Sequence, residues 1–511
     1  GLVTGRYQQR AGIEAVIHPR SDHPEHRKGL SGDEVTFAEL FKAAGYSTGL
    51  VGKWHLGYAA ETPKYHPMNH GFDYFMGYVS GNIDYINHWG DHQEHDWWHG
   101  RKETKEEGYT THLINKYALE FIEQHKEKPF CLYVAHESPH APVQGPNDPV
   151  QRGPGRQPRK TPHAEAMKQM ILEMDKGVEQ VRAKLIELGL EKKTLFLFFS
   201  DNGDAPGTAT GSPRFRGHKG SVYEGGTRVP AVAWWPGKIK PGTRARDLSI
   251  TLDIMPTILS VAGITSSQAR PLDGVDLSPV LFDQKSLPPR PLFWANLNNN
   301  GSRSEALRDG SWKLVVQHPK ARPGTFENET IELFNLVKDE GEKKNLAGEQ
   351  PERATAMLKR IKAWYADTQA TASPQPGGWL GKLPRPAPFI VAKGLAVKPF
   401  ATDQLSNPAS IDVDDRGRVW VAEAFNYRKK TRKEGDRILI LEDTDRDGRA
   451  DLTKVFYQNP DIDGVHGVCV LGNQAIVSAP DRILLLTDTD GDGKADEKKL
   501  LFKGRVINPL H

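Results

Sequence analysis

Over residues 31–290, stretches of helical apolar spacing take turns with short continuous apolar runs. Thr36 and Glu39 fit a capping box, in which hydroxyl and carboxylate each satisfy an orphan backbone amide. Phe37, Leu40, Phe41 and Ala44 then make one apolar face, and Gly45 suits the position just past a helix end. Tyr46–Val51 reads as a short strand that delivers Gly52-Lys53-Trp54-His55 at its C-terminal end. The unit recurs. A helix over 110–127 precedes the strand Phe130–Val134, which ends in His136-Glu137-Ser138-Pro139-His140. A third helix, from Ala164 to Gly189, keeps Met167, Met170, Met174, Val178, Val181 and Leu185 in register. It precedes Leu195–Phe199, a strand apolar on both faces that ends in Ser200-Asp201-Asn202-Gly203. Helices alternating with buried strands predict an α/β fold with a mainly parallel sheet covered by helices. Ligands of such sheets bind beyond the carboxyl ends of the strands.

The rhythm then changes. Residues 291–371 mix strand-like Trp312–Val316 and Glu332–Asn335 with a helix over Glu352–Tyr365, predicting a small α+β subdomain behind a core of 1–290. Residues 372–394 are rich in proline and glycine and read as a linker. From 395 to 511 short strands and turns take over. DRILILEDTDRDGRAD, starting at Asp436, returns 45 residues later as DRILLLTDTDGDGKAD, starting at Asp481. A period of that size with all-β patterning predicts propeller blades, too few here to close a ring.

Composition narrows the function classes. A formal charge of +3 on 511 residues gives no reason to expect nucleic acid or an anionic membrane surface as partner. No apolar run is long enough to predict a transmembrane segment. The two cysteines, Cys131 and Cys469, lie in different predicted domains, which excludes a disulfide framework and predicts buried free thiols.

The strand ends offer one kind of chemistry. Lys53, His55, His136, His140, Asp201, Asn202, His218 and Lys219 combine cations, imidazoles and a carboxylate–amide pair. Such a set suits a dense oxyanion beside a hard cation, calcium or magnesium in preference to zinc. Taken singly, each piece also fits an ordinary surface loop; the signal is joint. Residues 64–99 add His66, His70, His88, His92, His95 and His99 with Trp89, Trp97 and Trp98. These suit stacking and hydrogen bonding to a sugar, with His88, Trp89 and His136 as substrate-binding candidates. A long loop packed by its own aromatics fits the same residues.

Gly1-Leu2-Val3-Thr4-Gly5-Arg6 resembles the tail of the signature C/S-x-P-S-R-x-x-L-x-T-G-R of type I sulfatases, within the alkaline-phosphatase superfamily. Gly52-Lys53-Trp54-His55-Leu56-Gly57 is similar to that family's second signature. Pro139–Pro142, Ser200–Gly203 and Gly217–Gly226 resemble its later blocks, in order. The resemblance implies that Lys53 and Lys219 hold sulfate oxygens, with Lys219 also near the leaving oxygen. It further implies that His140 is the general acid, that His55 supports the formylglycine hydrate, and that Asp201 and Asn202 ligate the metal. His136 does not occupy the family's usual histidine position. The family nucleophile, its neighbouring arginine and an upstream aspartate pair would precede Gly1, so the chain is expected to be inert as given. The implied activity is sulfuric ester hydrolysis on sulfated carbohydrate or aryl sulfates, in the periplasm or outside the cell. A formylglycine-generating enzyme or anaerobic maturase would be the partner of the full-length protein. Two other readings stay open: a phosphonate or phosphodiester hydrolase of the same superfamily, and a non-catalytic glycan-binding protein.

Asn407–Asp414 with Gly417–Glu423 is similar to the opening blade of the propeller in large bacterial secreted proteins of the membrane-bound dehydrogenase type. No C-x-x-C-H haem motif accompanies it, so no redox role follows. Asp443, Asp445, Asp447 and Asp451 form D-x-D-x-D-G-x-x-D, and Asp488, Asp490, Asp492 and Asp496 repeat it. Alternate carboxylates around a tight turn can wrap calcium as a second metal site; an acidic hairpin turn that keeps an edge soluble fits equally.

Overall fold

The structure, a computed structural model, describes residues 1–18, 28–58, 63–91, 94–205, 214–265, 270–297, 302–318, 329–373, 400–401, 405, 407–426, 432–445 and 448–504. The chain forms two compact units, Gly1–Pro386 and Ala387–His511. His92, Asp447 and most of the predicted linker lie outside the described residues.

In the first unit, α1 (Phe37–Ala43) starts at the expected capping box: Thr36 Oγ1 accepts from Glu39 N at 3.2 Å, and Glu39 Oε2 from Thr36 N at 2.7 Å. It stops where Gly45 takes φ +86°, a left-handed turn that L-residues avoid. Strand β1 (Ser47–Lys53) follows. Alternate side chains of a strand face opposite ways. Leu50 therefore packs with Phe37, Phe41 and Phe75 on the α1 face, and Val51 packs with Leu113 and Ile114 on the other. Strand β2 (Tyr74–Tyr78) lies parallel to β1, while β3 (Trp98–His99) and β4 (Lys102–Glu103) extend that side antiparallel. Helix α2 (Thr110–His125) covers the Val51 face, and β5 (Phe130–Ala135) pairs parallel with β1 on its other edge. Helix α3 (His163–Glu187) packs Val181 and Leu185 against Ala118 and Ile122 of α2.

The mainly parallel sheet needs correcting. Strand β6 (Phe196–Phe199) pairs antiparallel with β7 (Ala231–Trp234) as a separate ribbon. Its residues are half-buried, so the apolar run reported a strand correctly and its sheet partners wrongly. The fold is α/β with a mixed sheet. After α4 (Glu224–Thr227), α5 (Ile254–Ala262) and α6 (Ser278–Asp283) comes the α+β portion. There β8 (Pro291–Leu297), β9 (Arg303–Asp309), β10 (Trp312–His318) and β11 (Thr330–Asn335) form an antiparallel meander. Across it lies α7 (Pro351–Ala370), through Ala354, Met357 and Ile361 on Leu307, Leu314 and Leu333.

The second unit holds two antiparallel four-stranded meanders. One comprises β12 (Pro408–Val413), β13 (Val419–Glu423), β14 (Asp436–Glu442) and β15 (Leu452–Asn459). The other comprises β16 (Gly467–Leu471), β17 (Gln474–Ala479), β18 (Arg482–Thr487) and β19 (Glu497–Lys503). They share a core that includes Trp420, Ile438, Val477 and Leu484. The sequence repeat supplies the third strand and following turn of each. No closed ring forms among the described residues. Both cysteines are free, but Cys131 is half-buried and Cys469 exposed, because Val468 takes the inward position of β16.

Candidate active site

Strand β1 delivers Lys53 at the carboxyl end of the sheet. The approach depends on Gly52, whose φ is +108° and where an added Cβ would sit 2.1 Å from Ala135 O of β5. Beyond Lys53, buried Trp54 anchors the turn by donating Nε1–H to Tyr65 O at 2.8 Å and stacking on His70. That anchor holds His55 at φ +53°, a left-handed conformation rare for a non-glycine residue. His55 Nε2–H donates to Ile17 O at 2.8 Å. Burial, then the charge of Lys53, push this imidazole down to about 3, so it is neutral with Nδ1 as the acceptor.

The segment after β5 brings His140. Its backbone N–H donates to Glu137 O at 2.9 Å, and its own carbonyl accepts from Tyr85 Oη at 3.0 Å. Its Nδ1–H donates to Ala141 O at 2.8 Å, leaving Nε2 open. Burial and the charges of Lys53 and Lys219 hold His140 down to about 4.

Asp201 and Asn202 follow β6. Glycines lace this turn to the segment carrying Lys219. Gly203 N–H donates to Gly226 O at 3.0 Å, Lys219 N–H donates to Asp204 O at 2.7 Å, and a Cβ on Gly203 would lie 1.8 Å from Gly225 O. Asp201 presents an exposed carboxylate. Asn202 donates its amide to Gly203 O at 2.9 Å, which leaves the amide oxygen without a partner among the described residues. Carboxylate and amide oxygen together fit a hard cation. His218 is exposed, with Nδ1 on the carbonyl of Lys219.

Five sequence-predicted residues therefore share one electrostatic neighbourhood. Lys53 feels Asp201 and Lys219, His55 feels Lys53 and His140, and His140 feels Lys53, Lys219 and Asp201. Neither lysine forms an ion pair among the described residues, and burial lowers the proton affinity of Lys53.

Two acids enter that were not expected. Glu137 is 4% exposed; Oε1 accepts from Ile83 N at 2.9 Å, while Oε2 is buried without a partner. Burial pushes this carboxyl up to about 8. Asp91 accepts from Tyr58 Oη at 3.3 Å and Asn82 Nδ2 at 3.2 Å, and acts on Lys53 and His55. Glu137 stood in view between His136 and His140; Asp91 was hidden among aromatics and imidazoles.

Other candidates are placed elsewhere. His136 is turned to α2, its Nε2 2.7 Å from Asn115 Oδ1, and burial alone holds it down to about 4. His88 is 0% exposed, stacked on Trp97 with Nε2 on Gly108 O at 3.1 Å, so it cannot meet a substrate. His66 and His70 are buried, while His95 and His99 face Glu103 and Glu106. For these imidazoles the loop is packed by its own aromatics. Trp89 is half-buried against Gly153.

In the second unit Asp488, Asp490 and Asp496 bring carboxylate oxygens within 4.8 Å of one another. Asp492 instead accepts from Lys494 N at 2.8 Å. In the first repeat Asp443 accepts from Gly448 N and Asp451 from Thr444, while Asp445 is exposed.

Comparison with known proteins bears on both units. The sulfatase family matches residues 1–264, the C-terminal region of N-sulphoglucosamine sulphohydrolase matches 217–368, and a domain of unknown function, DUF7133, matches 387–511. N-acetylgalactosamine-6-sulfatase of Mus musculus is 33% identical over 423 residues, 73% of this chain and 77% of that protein. Arylsulfatase A of Bos taurus is 30% identical over 408 residues, 71% of this chain and 75% of its own. A crystal structure of Ps i-CgsB in complex with k-i-k-neocarrahexaose matches with a TM-score of 0.62 at 26% identity, covering 72% of this chain and 82% of that one.

Proposed function

This chain belongs to the sulfatase family, and from that membership we propose that its first unit is built to hydrolyse sulfate esters on sulfated carbohydrate. The observation that carries this is the convergence of Lys53, Lys219 and His140 beside Asp201, with both lysines free of ion pairs among the described residues. Two unpaired ammonium groups favour a dense anion, and preorganised charge stabilises developing negative charge best where water is scarce. Lys53 and Lys219 hold sulfate oxygens, and Lys219 stabilises the leaving oxygen. His140 has committed Nδ1–H to Ala141, so only Nε2 can take up a proton and pass it to the departing alcohol. An anion bound between the lysines offsets their repulsion of the imidazolium and raises its proton affinity. His55, neutral and fixed by Ile17, offers Nδ1 as acceptor. A formylglycine from the family signature would supply the attacking hydroxyl, and calcium or magnesium at Asp201 and Asn202 would supply Lewis acidity.

The sugar preference draws support from the N-acetylgalactosamine-6-sulfatase relative and from the neocarrahexaose complex. A periplasmic or extracellular location is part of the same proposal. For the second unit we propose blade-like modules, since the same repeat occupies the same strand and turn of both meanders. The test of function is turnover of an aryl sulfate against the matching aryl phosphonate, by protein carrying the signature's Cys or Ser matured to formylglycine. Sulfate preference is expected. Phosphonate preference moves the assignment to the other hydrolase class. Glycan binding without turnover, persisting in Lys53→Ala, makes the protein a binding module.

A further inference from the structure

Beside the lysine cluster stands another cation with the same feature. Arg152 is half-buried and forms no ion pair among the described residues; its guanidinium donates from Nη1 to Asn82 Oδ1. Several arginines of this unit are matched to acids, among them Arg6 to Glu34, Arg10 to Asp273, Arg216 to Glu332 and Arg290 to Asp253, whereas Arg101 and Arg159, like Arg152, donate only to carbonyl or amide oxygens among the described residues. A guanidinium carries five N–H donors, so one bond to an amide leaves most of its fork open.

The position of Arg152 is fixed from behind. Asp84, 0% exposed, accepts from Ile86 N (3.0 Å), Asn87 N (3.2 Å), Gln151 N (2.7 Å), Arg152 N (3.0 Å) and Gln144 Nε2 (3.3 Å). This buried carboxylate staples segment 82–90 to segment 144–152. Asn87 adds a bond from Nδ2 to Arg152 O at 2.8 Å, and its Oδ1 accepts from Trp89 N at 3.0 Å. The Trp89 ring lies so close to Gly153 that a Cβ there would be 2.4 Å from it. The Trp89 ring is thus packed on the residue that follows Arg152.

Contacts link Arg152 to the cluster. Asn82, which binds Arg152 through Oδ1, donates Nδ2–H to Asp91 at 3.2 Å. Asp91 and His55 both close on Gly81, within 3.1 Å and 2.9 Å of where its Cβ would be. The chain of contacts from His55 to Arg152 passes through Gly81, Asp91 and Asn82.

We propose that Arg152, flanked by Trp89 and Asn82, is a second anion subsite, which holds a carboxylate or sulfate on the sugar adjoining the one that carries the scissile ester. This rests on the sulfatase assignment above and names its substrate class: a carbohydrate with anions on neighbouring rings. The guanidinium makes a two-point contact with the second anion, as its planar fork favours. Trp89 covers one face of the ring.

The experiment is calorimetric binding by this chain, with calcium present, of a hexosamine 6-sulfate, a disaccharide joining that sugar to a uronate, and a disaccharide carrying a second sulfate instead. The wild type should bind at least one disaccharide more tightly than the monosaccharide. Arg152→Gln should cost about tenfold on that disaccharide and leave the monosaccharide unchanged. Arg152→Lys, which keeps the charge and loses the fork, should fall between. Response to the uronate alone identifies a carboxylate subsite, response to the disulfated sugar alone a sulfate subsite, and response to both a general anion subsite. Equal losses on monosaccharide and disaccharide, or no loss on either, overturn the proposal, as does a wild type with no preference for a disaccharide. Lys53→Ala is the control for the assignment beneath it. It should weaken all three ligands, and if it weakens none the sulfate site fails, whatever Arg152 does.

Discussion

Lys313 is buried in the first unit and Lys53 half-buried at the end of β1, and their surroundings are opposite. Lys313, 0% exposed, lies between Glu224 at 2.9 Å and Glu342 at 3.1 Å. Glu342 also accepts from Glu224 N at 2.7 Å, and Arg308 approaches Glu224 at 3.3 Å. Lys53 has Glu137, Asp201 and Asp91 around it and is bonded to none of them among the described residues. A charge in the interior is tolerated when paired and costly when not. Lys313 therefore reads as part of the framework that joins β10 to the segment following Lys219. Under the proposed function, the unmet charge of Lys53 is kept for a ligand.

The largest effect that could break this contrast is on stability. Lys313→Ala leaves the buried Glu342 without its cation and Glu224 with only Arg308 and Arg228, and should cost about 3 kcal/mol. Lys53→Ala removes an unpaired charge and should leave stability unchanged or raise it. Urea unfolding of the intact chain, followed by a signal from the first unit, checks both. If Lys53→Ala proves as costly as Lys313→Ala, the distinction between the two lysines is wrong.

Next comes turnover. In protein bearing the matured nucleophile, Lys219→Ala should lower the rate by about 10²–10³. The loss should be greater for aryl sulfates with poor leaving groups if, as proposed, Lys219 meets the charge on the departing oxygen. A flat loss across leaving groups of graded acidity removes Lys219 from that side of the substrate.

Glu137 sharpens the contrast on the acidic side. Burial raises its carboxyl from 4.5 to about 8, so the fold favours its protonated form. That contribution to stability is complete below pH about 4.5 and is lost as pH rises through about 8, with a slope of at most about 1.4 kcal/mol per pH unit. Glu137→Gln should flatten unfolding free energy over this window. An unchanged pH profile would mean that Glu137 is charged and already satisfied.

What the sequence disclosed follows the range of the forces involved. Local devices were legible: the Thr36–Glu39 box, the Gly45 stop and the apolar periods of α2 and α3 act within a few residues. Strand ends and family blocks mark Lys53, His55, His140, Asp201 and Lys219, which the fold brings into one electrostatic neighbourhood. Pairing was not legible. An apolar run such as Phe196–Phe199 does not say whether its neighbour is β5 or β7. Nor does composition say which histidine faces a ligand. His88 stacks on Trp97 and His136 bonds Asn115 because of contacts distant in sequence. Asp91 and Glu137 escaped notice because an acid's role beside a lysine depends on where the strands put it.

The smallest effect carries the comparison to carboxylates in the two units. Asp253 is saturated: Arg290 pairs with both its oxygens, and Ile250 N and Val275 N donate to it. Asp488, Asp490 and Asp496 converge with no basic partner among the described residues. Three like charges that close repel one another, so a divalent cation bound there would stabilise the second unit. At a concentration several times its dissociation constant, calcium should add about 1 kcal/mol. Asp488→Asn should abolish that gain. The same change at Asp443 should reduce it less, because among the described residues only the second repeat gathers its carboxylates. Thermal unfolding with and without calcium reads the difference. Equal gains in wild type and Asp488→Asn would place any calcium effect elsewhere and leave these loops as acidic turns.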